Sequence, residues 1–480
     1  MHTVKRLLIR PEHIVIIGIA LFILFFSALS ILRHENFHSR RLDLGNMDQT
    51  VWNVLHGNGF TLTDPTGTSQ QSRLAIHADF LLILLAPLYA IWSNPDMLLL
   101  IQVIVAGLGA LPVYWIAYDT LRSKKLAVLF SCLYLLYPPM ERKMLHDFHA
   151  VSLSTTFLLY AYWYMEKKRY ALFTVFAVLA GLGKEDVWIV AALFGIYIAF
   201  RRRHMLFGTI VFVISACIFY TLFWIAIPAV TPEKQHFALV YLSDYGGGLN
   251  EILRGILTKP LSILQTVIAP DRLYYYAQIL SPYGFLSLIS PWPLIFASAS
   301  ILVNTLSNNQ LMRQIDYQYG SLITPFIVIS SIYGFAALRK KISPRYIAIY
   351  LSLCMFITVY LWGELPVGKS QWFWFFISPI PEKQTLQQIK KQIDSNSSVS
   401  ATNNIGAHFS QRQYLYNFPI HAQDSDYVVV YLGDPYAWPS GEVQQDQVNK
   451  LLHNSHYEVL VQKGNLFVFK RISYEKNTSL

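Results

Sequence analysis

The sequence predicts an all-α polytopic membrane protein with about eleven transmembrane helices and a small C-terminal α/β domain outside the cytoplasm. Three observations carry that fold class. Of 480 residues, 54% are hydrophobic and only 14% are charged, a balance suited to a lipid solvent. The run from Ile14 to Leu32 holds no charged residue and is long enough to cross about 30 Å of hydrocarbon. From about Gln371 the composition changes, and polar residues alternate with short β-prone runs.

The first run follows Lys5, Arg6 and Arg10 and reads as an anchor with a cytoplasmic N-terminus. Ala28 and Ser30 suggest a cleavable signal peptide instead, but the apolar stretch is too long for one. Further apolar runs fall near 97–120, 125–140, 150–165, 170–183, 186–200, 205–228, 273–289, 292–306, 321–338 and 345–364. With this register the basic clusters Arg122/Lys124/Lys125, Lys167/Lys168/Arg169, Arg201/Arg202/Arg203 and Arg339/Lys340/Lys341/Arg345 all lie inside. The arrangement requires the segment from Leu74 to Trp92 to dip into the outer leaflet without crossing. His77 and Asp79 near its start, and Pro87 within it, support that. Arg142 and Lys143 fall on the wrong side of the pattern.

The same register places a first loop at about 33–73, a short loop at about 141–149 and a larger loop at about 229–272 on the outer face. The tail joins them, giving a membrane domain over 1–370 and a domain over 371–480. In the tail, Tyr427 to Leu432 and Tyr457 to Val461 read as strands, Lys463-Gly464-Asn465 as a hairpin turn before Leu466 to Phe469, and Val443 to Leu452 as a helix.

Several function classes fall away. The net charge of +10 sits in short clusters between apolar runs, which reads as topology and not as a nucleic-acid face. Cys132, Cys217 and Cys354 lie inside apolar stretches, so neither a disulfide framework nor a thiolate metal site is expected. Gly246-Gly247-Gly248 lacks the context of a phosphate-binding loop and reads as a flexible turn.

Three polar constellations carry the candidate chemistry. In the first outer loop, a helix after Asp43 would gather Leu44, Met47, Val51 and Val54 on one face and Asp48, Gln49, Trp52 and Asn53 on the rest, as suits a helix at the membrane surface. Asp43 at its start either caps the helix or stays ionised as a general base. Next, His146-Asp147-Phe148-His149 follows Pro138-Pro139. If a helix begins early, His146 and His149 share a face at metal-ligand spacing; a polar rim around a cavity is the alternative. Finally, Lys184-Glu185-Asp186 lies between two short apolar stretches, either as a plain loop or as a buried cluster in which Lys184 offsets phosphate charge. His77 and Asp79 form a fourth candidate.

The run from Asp43 to Gly57, then His77-Ala78-Asp79-Phe80 with Pro87-Leu88-Tyr89, then Asp147-Phe148-His149, and finally Lys184-Glu185-Asp186 resembles a bacterial membrane family, domain of unknown function 2079. The resemblance covers most of the chain. That family in turn resembles the GT-C glycosyltransferases, which take a sugar from a polyprenyl-phosphate carrier on the outer membrane face. The resemblance implies a catalytic carboxylate after the first transmembrane helix: Asp43, fourteen residues before Gly57, matches in position, but Leu44 replaces the usual acidic neighbour, so Asp48 stays an alternative. It also implies a second acid in the next outer loop, matched by Asp147. Lys184 is the candidate cation for the departing phosphate, with Arg73 and His149 behind it.

The expectation is therefore a glycosyltransferase of the bacterial cytoplasmic membrane. Asp43, Asp48 and Asp147 are its candidate catalytic groups, and Lys184, Glu185, Asp186, His77, Asp79, His149, Arg73 and Trp52 its candidate substrate contacts. Its expected partners are a polyprenyl-phosphate sugar and membrane lipid, with no nucleic acid. A divalent metal is compatible with this reading but not required by it. A transporter or flippase for an amphipathic solute, or a non-catalytic assembly protein, are the alternatives.

Overall fold

The computed structural model describes residues 10–64, 66–370, 372–434 and 437–472; Lys5, Arg6 and Gln371 lie outside the described residues. Among the described residues, four helices are long and apolar enough to cross a membrane: Pro11–Glu35, Asp96–Leu121, Met205–Val230 and Pro344–Trp362. Shorter apolar helices at Tyr170–Gly181, Val187–Phe200, Trp292–Leu306 and Thr324–Leu338 accompany them.

Small residues and hydroxyls let these helices approach. A Cβ on Gly109 would run into the Tyr134 hydroxyl and Thr156 Oγ1. Thr156 Oγ1 donates to Val105 O at 2.8 Å, and Ser131 Oγ donates to Ala110 O at 3.0 Å, bonding neighbouring helices where no water competes.

Two expected crossings are interrupted. The run at 125–140 divides into Lys124–Leu135 and Pro138–Leu145, because Pro138 and Pro139 open a new helix in its first turn. The run at 273–289 ends its helix at Leu280; a 3₁₀ turn, Ser281–Tyr283, and Gly284 at φ +55° follow. The segment expected to dip forms only the helix Leu81–Tyr89, whose nine residues rise about 13 Å, well short of the bilayer's apolar thickness.

Arg142 and Lys143, which broke the basic pattern, are absorbed by the fold. Arg142 pairs with Asp316 at 2.7 Å and Glu364 at 3.2 Å, and buried Lys143 donates to Thr155 Oγ1 at 2.9 Å. A charge neutralised inside the protein carries no weight in a loop-charge rule.

The loop after the first helix contains a π-helical turn at Arg41–Gly45, a helix at Asn46–Leu55, and a short hairpin of β1 (Thr61–Thr63) and β2 (Gln70–Ser72). Leu44, Met47 and Val51 bury against Leu81, Leu82 and Phe148, as their spacing predicts. The opposite face, read as the polar side of a helix at the membrane surface, is closed off within the protein: Asp48, Gln49 and Asn53 are buried. The hairpin and the C-terminal loop 410–413 cover it.

That sheet has the order β4-β3-β5-β7-β6, with β3 Val399–Ala401, β4 Leu415–Asn417, β5 Tyr427–Tyr431, β6 Tyr457–Lys463 and β7 Leu466–Arg471. Strand alternation divides its faces. Val429 and Val468 pack with Leu386 and Ile389 of the helix Lys383–Gln392, while Val428, Val430 and Phe469 pack with Val448 and Leu451 of the helix Gly441–Leu452. Phe37, just past the first membrane helix, completes the first of these cores.

Candidate active site

Asp43 is held in place by the groups around it. One residue before it, the Leu42 N–H donates to Asn403 Oδ1 at 3.0 Å. Three residues before it, the Arg40 N–H donates to Asp147 Oδ2 at 2.9 Å, and the other Asp147 oxygen accepts from Arg33 at the end of the first helix. Arg41 is fully buried and donates to the carbonyls of Asp64 at 2.9 Å, Leu415 at 3.0 Å and Thr63 at 3.3 Å. A helix end, a hairpin and the C-terminal sheet thus fix the turn that carries Asp43.

The Asp43 carboxylate meets two imidazoles, His149 Nε2 at 3.2 Å and His146 Nε2 at 3.6 Å. His149 Nδ1 faces Asp147 O at 3.1 Å, so both ring nitrogens of His149 point at oxygen acceptors. Burial pushes the Asp43 carboxyl up, but the neighbouring imidazoles of His146 and His149 more than offset this and hold it well below the usual range.

His149 lines a cavity of about 390 Å³, within the size range of small-molecule sites. Its polar wall holds His77, Asp79, Lys184, Glu185, Asp186, Gln318 and Tyr319; its apolar wall holds Phe219, Phe223, Trp224, Leu239, Leu242 and Val303. Phe219, Phe223 and Trp224 come from the helix Met205–Val230, whose apolar 18-residue stretch is only 11% buried inside the protein. Lys184 pairs with Asp186 at 3.3 Å; burial pulls its ammonium down, and Asp186 and Glu185 raise it further, so the net shift is upward.

The candidates do not all converge. Arg73 is buried and spent on Asp79, with Nη2 at 2.6 Å and Nε at 3.0 Å from its oxygens. Trp52 stacks on His56 at a centroid separation of 4.0 Å, away from the cavity-lining set. Asp48 accepts from Ser410 Oγ at 2.6 Å, Tyr89 OH at 2.7 Å and Gln411 Nε2 at 3.1 Å. Burial pushes its carboxyl above the usual range despite those bonds. The ligand set His146-Asp147-His149 does not form: the segment is extended, the next helix starts at Ala150, and Asp147 turns away to Arg33 and Arg40.

Sequence reasoning missed His236. It lies 51 positions from Glu185 in the long connection after the helix Met205–Val230, without a motif, yet its Nε2 sits 3.2 Å from Glu185 Oε1. Being a histidine on the same predicted face was its only signal. His77 Nδ1 meets the same oxygen at 2.9 Å, and the Ala78 N–H donates to Glu185 Oε2 at 3.0 Å. His77, Glu185 and His236 have the donor types and proximity of a metal-ligand set.

A family model described as predicted membrane protein (DUF2079) matches residues 33–468. The chain belongs to that family. Two solved structures share the fold of this DUF2079 protein, both of ArnT from Cupriavidus metallidurans. One, bound to undecaprenyl phosphate, has a TM-score of 0.52 and 9% identity, covering 95% of this chain and 98% of that one. The other, in the apo state, has a TM-score of 0.50 and 11% identity, covering 94% and 98%. No curated protein matches the DUF2079 chain.

Proposed function

We propose that this protein transfers a sugar from a polyprenyl-phosphate donor to an envelope acceptor on the outer face of the bacterial cytoplasmic membrane. The observation that carries the reading is the placement of Asp43: an ionised carboxylate bonded to His149, whose ring lines a cavity that is apolar on one side and polar on the other.

The two walls suit the two halves of such a donor. The apolar wall, built partly from a helix left largely uncovered, fits a prenyl chain entering from the bilayer. The polar wall holds Lys184 for the phosphate and Gln318 and Tyr319 for hydroxyls. In the reaction the acceptor oxygen bonds to the anomeric carbon with inversion, the carbon–phosphate oxygen bond breaks, and its electron pair leaves on the lipid phosphate. Asp43 takes the hydroxyl proton, while Lys184 stabilises the charge gathering on the phosphate. Asp147, spent on Arg33 and Arg40, acts as a positioning residue. That His149 connects Asp43 to the cavity holding Lys184 favours an enzyme over an assembly protein, which needs no shared cavity.

A photo-crosslinking polyprenyl phosphate, used with purified protein in lipid nanodiscs, tests the ligand class. The expected result is label on the segment of Phe219, Phe223 and Trp224, competed by unlabelled polyprenyl phosphate. Label spread over the lipid-facing helices without competition would overturn it.

A further inference from the structure

Glu185, His77 and His236 come from three separate segments: the connection between the helices Tyr170–Gly181 and Val187–Phe200, the stretch just before the helix Leu81–Tyr89, and the long connection after the helix Met205–Val230. They converge on one oxygen. Glu185 Oε1 lies 2.9 Å from His77 Nδ1 and 3.2 Å from His236 Nε2, and all three ligand atoms lie within 4.8 Å of one another. Bonds of about 2.0 Å in a tetrahedral site set ligand atoms about 3.3 Å apart, so two of these separations need change by only a few tenths of an ångström.

We propose that His77 Nδ1, Glu185 Oε1 and His236 Nε2 bind a divalent transition-metal ion of the zinc class, with the fourth position open to the cavity. Two imidazoles and one carboxylate form a known zinc donor set with one position left for water or an anionic oxygen. The burial is asymmetric in the way such a site needs. The Glu185 and His236 side chains are 2% and 1% exposed, whereas His77 is 22% exposed and lines the cavity. The Ala78 N–H holds Glu185 Oε2, leaving Oε1 as a monodentate ligand. His236 is packed face to face against Phe223 at 4.1 Å, which orients its ring. Lys184, the neighbouring cation, is paired with Asp186, so the ion meets one carboxylate and two imidazole nitrogens.

The Ala238 N–H donates to His236 Nδ1 at 3.1 Å, and Nε2 faces Glu185. An ion held by Nε2 would leave a ring proton on Nδ1 and so open the Ala238 contact. The turn Phe237–Leu242 therefore reports occupancy, and amide exchange at Ala238 accelerates on loading.

The test uses the full-length protein in detergent, stripped with chelator, re-equilibrated with Zn²⁺ and assayed for bound metal by mass spectrometry. The expected content is about one ion per chain, with affinity falling more than about 100-fold in Glu185→Gln and His236→Asn. Co²⁺ titration of the wild type alone should give the intense visible ligand-field absorption of a tetrahedral site, a readout that stands even if a variant fails to fold. A featureless Co²⁺ titration, or zinc retained at wild-type affinity in both folded variants, would overturn the site and leave a hydrogen-bonded triad. The measurement involves neither donor nor transfer, so failure of the sugar-transfer reading would not disturb it.

Discussion

Asp147 accepts the backbone N–H of Arg40 at 2.9 Å, and through that one bond it governs the turn that presents Asp43 three residues later. Its other oxygen is taken by buried Arg33. Asp147→Asn keeps an acceptor for Arg40 but leaves the guanidinium without its counter-charge, at a cost of about 3 kcal/mol. A lowered thermal unfolding midpoint in a fixed detergent, with transfer reduced in the protein that remains folded, is the expected result. An unchanged midpoint would remove Asp147 from this role.

Asp43 should set the acid side of activity. Burial raises its carboxyl, and His146 and His149 lower it by more, so it lies below the ordinary value of about 3.9. A carboxyl with a lowered pKa stabilises the folded chain above its unfolded value, and that contribution is lost as pH falls through the lower folded value. With respect to Asp43, transfer should be flat from about pH 5 to about pH 8. His149→Ala removes one of the lowering bonds, so the acid limb of the pH–rate profile should move upward. A limb that stays in place would separate His149 from Asp43.

Asp48 should behave as a structural carboxyl. Its pKa is raised by burial, so its contribution to stability is fully present below the unfolded value and is lost as pH rises through the folded one. Asp48→Asn should flatten that dependence and preserve transfer within several-fold, because the amide oxygen still accepts from Tyr89 and Ser410 can accept from the amide nitrogen. Asp48→Leu strands Tyr89, Ser410 and Gln411 and should destabilise by about 2 kcal/mol.

The C-terminal sheet should be a clamp on the first loop. Arg41→Lys cannot reach three carbonyls at once, and Phe37→Ala empties part of the sheet's core at about 3 kcal/mol. In both variants, limited proteolysis should cut between the last membrane helix and β3 sooner than in the wild type. Equal cleavage rates would show that the sheet holds the loop by other contacts.

The parts legible in the sequence were those with a local signature. The apolar face of Leu44, Met47 and Val51 followed from helical spacing, and the Lys463-Gly464-Asn465 hairpin from its turn residues, with Gly464 at φ +54°. β3 and β4 have three residues each and carry no period, so they were invisible. The buried side of Asp48 and Gln49 depended on a loop more than three hundred residues away, which no local pattern reports. For the same reason the sequence could rank Asp43 and Asp48 only by resemblance, and could not see that His236 would reach Glu185. Arg142 misled the charge pattern because its partners, Asp316 and Glu364, are distant in sequence.

The most direct test is release of polyprenyl phosphate from radiolabelled polyprenyl-phosphate sugars by purified protein in lipid, with envelope extract as acceptor. Wild type, Asp43→Asn and Asp48→Asn are compared at matched folding. The account predicts turnover by wild type and Asp48→Asn and a loss of at least about 100-fold in Asp43→Asn. Undiminished turnover by Asp43→Asn, or no turnover by the wild type across a broad panel of donors and acceptors, would contradict it.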